Sequence, residues 1–244
     1  YMGTIIHRMP AGHWMWLGAP FLLPSGKVGV YGSEMIQKSK GIWGFERVGQ
    51  VYVEFDPTNL SKVEVQRIDK LSTPWSCASS SDVGGPLVYT VDTKHHPRVG
   101  RPNPDGTVTP IATLEAQLSG HFSVVQDAKG KWWMVGSGIM LSRRVWAYPM
   151  ASPQGPVIGK KILLTTLPSP GVNQYVYHVT IHPEENGLLT YAVNGKKGSN
   201  VNYGLRRISG LWKTPAPTVD DDQPDLPSMP DVPDSTDSDP LPGD

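Results

Sequence analysis

Two acidic residues of this sequence are candidates for chemistry, because most of the other carboxylates flank turns. Hydrolysis of a glycosidic bond needs two carboxyl groups, about 5 Å apart for retention or roughly 6.5–9.5 Å apart for inversion. Glu34 follows a strand-like run and could face a cleft, and Asp82 lies in the polar segment Ser79–Gly85. Both are candidate catalytic residues, although Asp82 also fits a turn and no acidic pair emerges. The acids more typical of turns are Asp56, Asp105, Asp127, Glu184 and Glu185.

Three histidines each fall in the first strand of a predicted propeller blade. If the domain is a propeller, His13, His121 and His178 would face one central funnel. Imidazoles there could bind sugar hydroxyls, act as acid or base, or hold a metal ion. The alternative is that each ring packs in the core with its hydrogen bonds satisfied. His121 and His178 are therefore candidates for both catalysis and substrate binding, and His13 is a candidate for substrate binding.

The residue pattern predicts no metal site and no cofactor. His178 and His182 have the spacing of a helical metal pair, but the alternation around them indicates a strand. Four residues of strand span about 13 Å, so one ion reaches both rings only where the chain bends. Cys77 is the only cysteine. A lone thiol forms neither an internal disulfide nor a zinc site, so we expect a small buried residue.

Eight tryptophans supply large aromatic faces that could stack on sugar rings. Trp14, Trp16 and Trp75 lie at predicted first strands and are candidate substrate-binding residues. The alternative for each is packing between blades, where an aromatic ring buries a large apolar area. Trp133 and Trp146 lie within later strands and are expected to be structural.

Short runs of alternating apolar and polar residues indicate an all-β domain. Val51–Phe55, for example, places Val and Phe on one side and Tyr and Glu on the other. No convincing amphipathic helix is present; Leu114–Leu118 is the best short candidate, and it is brief. Further alternating runs are Lys27–Tyr31, Lys62–Ile68, Leu87–Asp92, His121–Gln126, Lys131–Val135, Val145–Tyr148, Gln174–Ile181, Leu188–Val193 and Val201–Ile208.

A loose internal repeat favours a β-propeller. Units that begin near Trp14, Trp75, His121 and Tyr175 each place a strand, a turn and a second aromatic or β-branched strand in the same order. Their average spacing is near the roughly 40–50 residues of propeller blades. The repeat alone is also compatible with a β-sandwich, because both architectures use many short strands.

The character of the chain changes after Lys213. Residues 214–244 contain nine aspartates and eight prolines but no aromatic residue, a composition that cannot bury a core and predicts a disordered tail. Of 22 acids nine lie in this tail, whereas all 22 Lys and Arg residues precede it, so the body carries +9 and the tail −9. We therefore divide the chain into a domain over 1–213 and a tail over 214–244.

The closing part of the domain contains the most specific motifs. They are His178–Glu184, Leu188–Asn194 and Tyr203–Arg206, and further matches are Trp14–Pro20, Gly41–Phe45, Trp75-Ser76 and Ser152–Pro156. Their order, from about Trp14 to Trp212, resembles domain-of-unknown-function family 4185. The usual form of that family has a His-Pro-Glu turn, a strand like LLVSYN and a final strand like YRPRF.

The resemblance implies a five-bladed β-propeller similar to glycoside hydrolases, and some members of the family are endo-D-arabinanases. About four blades fit into this sequence, so we expect N-terminal truncation that removes the first blade, which commonly carries a catalytic carboxylate. Ala19 stands where the family often has an acid. Arg206 matches the closing arginine of the family, which implies substrate binding or a structural ion pair.

The expected function is a carbohydrate-active propeller, a glycoside hydrolase acting on a cell-wall arabinan-like polysaccharide, with catalysis left open. The alternative is a non-catalytic propeller that binds glycans or proteins on a cell surface or a phage tail. We expect a secreted or cell-surface protein, or a virion component, that is monomeric when complete. Nucleic acid is a less favoured partner because the basic residues are scattered. No membrane insertion is expected, since no run approaches the roughly 18 apolar residues of a spanning helix.

Overall fold

The computed structural model contains small antiparallel sheets that follow one another along the chain. It describes residues 10–40, 44–68, 74–139, 141–171, 174–195 and 204–211. The predicted tail over 214–244 lies outside these residues, as do Gly41–Trp43, Tyr203 and Trp212 of the family motifs. Four sheets in the described part have the arrangement of propeller blades, which confirms the prediction of an all-β propeller with about four blades.

Each blade is a meander in which consecutive strands pair with one another. Blade 1 contains β1 (His13–Leu22), β2 (Val28–Gln37), β3 (Phe45–Asp56) and β4 (Asn59–Ile68). Blade 2 contains β5 (Ala78–Asp82), β6 (Gly85–Val91), β7 (Pro97–Pro102) and β8 (Val108–Thr113). Blade 3 contains β9 (Phe122–Gln126), β10 (Trp132–Ser137), β11 (Arg144–Met150) and β12 (Ile162–Thr166). Blade 4 contains β13 (Gln174–His182), β14 (Leu188–Gly195) and β15 (Gly204–Ile208).

The first strands of the blades form the centre of the domain. Strand β1 packs beside β5, β5 beside β9, and β9 beside β13. Later strands of each blade lie progressively farther out, because each pairs only with its neighbours in sequence. A residue on a first strand is therefore placed near the central axis.

The middle strands of the blades are buried on both faces because alternate side chains pack on different neighbours. Val88 packs in the cluster shared with blade 1, whereas the adjacent Tyr89 packs in the cluster shared with blade 3. Met134 and Val135 repeat this arrangement one blade further on, toward blades 2 and 4. These four residues are buried. The pattern gives a continuous core that burial of apolar surface stabilises.

Buried tyrosines add hydrogen bonds between consecutive blades. The Tyr31 hydroxyl donates to the carbonyl of Gly106, 3.0 Å away, and so links blade 1 to blade 2. The Tyr89 hydroxyl donates to the carbonyl of Pro153, 2.7 Å away, and links blade 2 to blade 3. Burial raises the pKa of both phenols, so they stay protonated donors.

The brief segment Leu114–Leu118, the best candidate in a sequence with no convincing amphipathic helix, forms no helix and connects blade 2 to blade 3. Two of its backbone amides form hydrogen bonds with residues distant in the sequence. Leu114 N donates to Pro97 O at 2.8 Å, and Leu118 N donates to His95 O at 3.2 Å. Leu114, Ala116 and Leu118 are buried, and the residues between them are exposed. That period of two is the pattern of extended chain.

Helix is confined to one 3-10 turn, Pro183–Glu185, in the part of the chain that the structure describes. Among those residues we find no helix of the length and apolar character needed to cross a membrane.

Candidate functional site

The four first strands enclose an axial cavity of about 350 Å³. Each blade contributes to its wall, as expected where the inner strands of a propeller converge. The wall is formed by Leu17–Ala19, by Cys77–Ser79, by His121–Val125, and by His178, Thr180 and Ile181. Within the described residues this wall contains no carboxylate.

Two histidines from different blades meet in the axial cavity. His121 immediately precedes β9, and His178 lies at a bulge of β13, where the pairing register shifts between Tyr177 and Thr180. Their ring centroids are 3.6 Å apart with an interplanar angle of 32°. The bulge places His178 at φ 53°, in the left-handed region. This local irregularity, which alternation in the sequence does not reveal, brings the two rings together.

Both imidazoles are held in the neutral form. Burial, with a smaller contribution from the neighbouring His178, lowers the pKa of His121 to about 3. His178 is more exposed, and its partial burial lowers its pKa as well. Among the described residues neither ring forms a side-chain hydrogen bond. Each neutral ring therefore offers one donor and one acceptor to a bound molecule.

Hydroxyl groups add further polar positions to the cavity wall. The Ser79 hydroxyl donates to Pro20 O at 2.6 Å, and the Ser123 hydroxyl accepts from Ile181 N at 3.1 Å. Thr180 also lines the cavity. These three residues were not predicted as site residues, although Ser123 and Thr180 lie within the predicted first strands His121–Gln126 and Gln174–Ile181.

Close packing of β1 against blade 2 sets one side of the cavity. Ala19 N donates to Ser76 O at 3.4 Å. A Cβ on Gly18 would lie 2.3 Å from that carbonyl oxygen, so a side chain cannot be accommodated without movement. Cys77, the residue that follows Ser76, is buried in the wall, and burial raises the pKa of its thiol to about 12.

Glu34 is buried in blade 1 and does not line the axial cavity. His13 Nδ1 lies 2.6 Å from Glu34 Oε1, and Arg67 binds Oε2 through Nε at 2.9 Å and Nη2 at 2.7 Å. The carboxylate is thus compensated by two cationic or donor side chains, as a buried charge requires. His13, predicted to face the funnel with the other two histidines, instead contacts this carboxylate.

Asp82 lies at the turn between β5 and β6, where it joins blade 2 to blade 3. Its carboxylate accepts from Arg101 Nη2 at 3.0 Å and from Gly84 N at 2.7 Å, and Gln154 of blade 3 also donates to it. Burial alone would raise its pKa, but the bonds from Gln154 and Arg101 hold that pKa below its usual range. These contacts give Asp82 a clear structural role.

The remaining predicted site residues are spread over the molecule. Trp75 is buried between blades 1 and 2, Trp14 is half-buried on β1, and Trp16 is exposed and packs edge-on against Phe45. Arg206 is exposed on the outer strand β15. None of these residues lines the axial cavity in the described structure.

A resident metal centre is not found among the described residues. No group of three or more His, Cys, Asp or Glu side chains there is close enough to hold an ion. His182, the second histidine of the helical-type spacing, bonds to Thr190 Oγ1 at 3.1 Å and lies 3.4 Å from Glu184.

Comparison with known proteins supports the fold and goes no further. No family model and no curated protein matches this chain. It is similar to a protein of Bacteroides ovatus ATCC 8483 provisionally described as a hydrolase, with TM-score 0.56 and 16% identity over 77% of this chain and 56% of that chain. A protein of unknown function from Dyadobacter fermentans DSM 18053 gives TM-score 0.54 and 11% identity over 86% of this chain and 65% of that chain.

A glycoside hydrolase family 43 endo-arabinanase from Bacillus licheniformis gives TM-score 0.46 and 13% identity over 78% of this chain and 69% of that chain. The present chain spans 56% and 65% of the length of the first two proteins. Fold and cavity together define the class: a β-propeller with an axial cavity whose described wall carries no acidic or basic side chain other than histidine and mixes polar with apolar residues.

Proposed function

We propose that this chain binds a neutral segment of a polysaccharide in the axial cavity, as a glycan-binding propeller. The observation that carries this proposal is the stacked pair His121 and His178, uncharged and without side-chain hydrogen bonds in the described structure. Sugar hydroxyls both donate and accept hydrogen bonds, and neutral imidazoles do the same.

The other wall residues support a neutral ligand. Serine and threonine hydroxyls at Ser79, Ser123 and Thr180 match hydroxyl-rich molecules, and the described wall offers no charge to pair with an ion. A charged ligand would lose its hydration there without gaining an ionic partner. The volume of about 350 Å³ lies at the lower end of ligand pockets and suits one or two sugar rings.

Hydrolysis of the glycan is the second candidate, and Glu34 is the observation that favours it. Glu34 lies on β2, the strand that pairs with β1, and its carboxylate is fully buried. His13 and Arg67 hold this carboxylate in place. The reaction needs a second carboxyl group within about 5–10 Å. The described cavity wall provides none, which is why binding is the leading proposal.

The identity of the polymer follows from the sequence motifs. The ordered motifs between Trp14 and Trp212 support membership of family 4185, a fifth blade and an arabinan-like cell-wall polymer as ligand. A protein with that ligand would act outside the cell, at a cell surface or on a virion. These finer assignments rest on the resemblance and are part of the proposal.

Parallel binding and hydrolysis assays with soluble arabinan and arabinogalactan test the proposal. We expect saturable binding by isothermal titration, with no increase in reducing ends after prolonged incubation. Release of reducing ends that is lost in Glu34→Gln, while the variant remains folded, would replace binding by hydrolysis as the function. Absence of binding to these and to other neutral polysaccharides would overturn the proposal.

A further inference from the structure

A second cavity lies off the axis, in the groove between blades 2 and 3. Its volume is about 650 Å³, within the range of 300–1,000 Å³ typical of ligand pockets. One wall is the connector 113–117, and the other is built from the residues that follow β10 and from the middle of β11. The axial cavity and this cavity share no lining residue.

An unpartnered indole N–H lies in this second cavity. Trp146 on β11 is 6% exposed, and within the described structure its Nε1 has no hydrogen-bond acceptor. The N–H is not enclosed by protein but opens into the cavity. The missing side chain of Gly138 helps to keep it open, since an added Cβ would lie 3.1 Å from Ser142 Cβ and 3.6 Å from Nε1. The N–H is therefore a donor available to a molecule in the cavity.

The remaining side chains offer both donors and acceptors around that N–H. Glu115 and Gln117 alternate with buried residues along the connector and are exposed into the cavity. Lys161 Nζ lies 4.2 Å from the centroid of the Trp146 ring and covers its face. Tyr148 donates its hydroxyl to Gln117 O at 3.2 Å, which fixes the connector against blade 3.

We propose that this cavity is a second carbohydrate site that takes one neutral sugar unit. A sugar hydroxyl can accept from the Trp146 N–H and donate to Glu115 at the same time, because hydroxyls do both. Glu115 and Lys161 carry opposite charges in this lining, so together they supply no net charge that would favour an ionic ligand. The site is separate from the axial cavity and would let the propeller contact a polysaccharide at two places, with a gain in avidity.

The test follows the Trp146 indole signal in a ¹H–¹⁵N spectrum of the whole chain, assigned by triple-resonance methods and by its loss in Trp146→Phe. The probes are the methyl glycosides of arabinose, xylose, glucose, galactose and mannose, each added to about 50 mM, a range that detects millimolar affinity. We expect at least one of these sugars to shift the Trp146 signal in a saturable manner.

Variants separate this site from the axial cavity. Glu115→Ala should lower the affinity for the sugar that shifts the Trp146 signal. The expected decrease is about 2- to 10-fold, the effect of losing one hydrogen bond. Glu185→Ala, which removes an exposed acid from a turn of blade 4, should leave that affinity unchanged. His178→Gly should also leave it unchanged, so failure of axial binding does not affect this result.

Two results would overturn the second site. One is a Trp146 signal that none of the five sugars moves. The other is a signal that moves only with a synthetic peptide of residues 214–244, which would assign the cavity to a polypeptide instead. Equal shifts in wild type and Glu115→Ala would also contradict the proposed contact.

Discussion

The imidazole rings of His121 and His178 lie against each other in the axial cavity, with centroids 3.6 Å apart. The pKa of His121 is lowered to about 3 by burial and by its neighbour. The unfolded chain binds a proton at this histidine near pH 6.5, whereas the folded protein does not. Stability must therefore fall as the pH drops from about 6.5 toward 3.

This gives a prediction for His121. The free energy of unfolding should decrease between pH 6.5 and 4.5 with a slope of at most about 1.4 kcal/mol per pH unit from this residue. His178 is more exposed than His121, so water screens much of its contribution to the pH dependence of stability. Urea unfolding of wild type and His121→Asn at several pH values measures the slope. An unchanged slope in the variant would show that His121 is not held neutral.

A second prediction concerns the backbone at His178, where φ is 53°. Glycine and asparagine adopt this left-handed conformation easily, whereas β-branched residues resist it. His178→Gly and His178→Asn should fold with little loss. His178→Val should lose about 1–2 kcal/mol or more. Thermal unfolding compares the three, and equal stability of the valine variant would contradict the bulge geometry.

A third prediction tests the contact between Gly18 and Ser76. A Cβ on Gly18 would lie 2.3 Å from Ser76 O, so Gly18→Ala should force β1 away from blade 2 at a cost of about 1–3 kcal/mol. Gly120→Ala is the matched control, because a Cβ added at Gly120 would meet nothing within 4 Å. Chemical denaturation should rank the two variants clearly. Similar free energies of unfolding would mean that β1 does not approach Ser76.

A fourth prediction concerns the turn between β9 and β10. Asp127 accepts from the amides of Lys129 and Lys131, each at 2.9 Å, and from the buried Trp133 indole at 2.9 Å. Asp127→Ala should cost about 1–3 kcal/mol because two turn amides and the Trp133 indole lose this acceptor. Asp56→Ala removes only bonds to Thr58 in an exposed turn and should cost less. Melting temperatures of the two variants check the order.

Alternation in the sequence was sufficient to predict the strands, whereas the propeller rested on the internal repeat and the family resemblance. Val51–Phe55 lies in β3, and Leu188–Val193 lies in β14, because period-two burial is a property of the strand itself. The connector 114–118 forms no helix, in line with the absence of a convincing helix pattern, but the sequence did not reveal that its amides bond to Pro97 and His95, which are about 20 residues away in the chain. Local pattern carries no information on such tertiary bonds.

The site was harder to predict than the fold. The position of His121 and His178 near first strands follows from the repeat, but their mutual contact depends on the bulge in β13. His13 occupies an equivalent sequence position and contacts Glu34 on the neighbouring strand instead. The pairing register decides this outcome, and it is fixed only when the sheet forms.

Titration of a soluble neutral polysaccharide against histidine variants tests the central claim most directly. His121→Ala and His178→Gly should each weaken the axial affinity by about 2- to 10-fold, and the double variant should bind more weakly than either. His182→Ala is the control, since His182 lies on the same strand but bonds to Thr190 outside the cavity wall. Wild-type affinity in the double variant, with circular dichroism unchanged, would contradict glycan binding in the axial cavity.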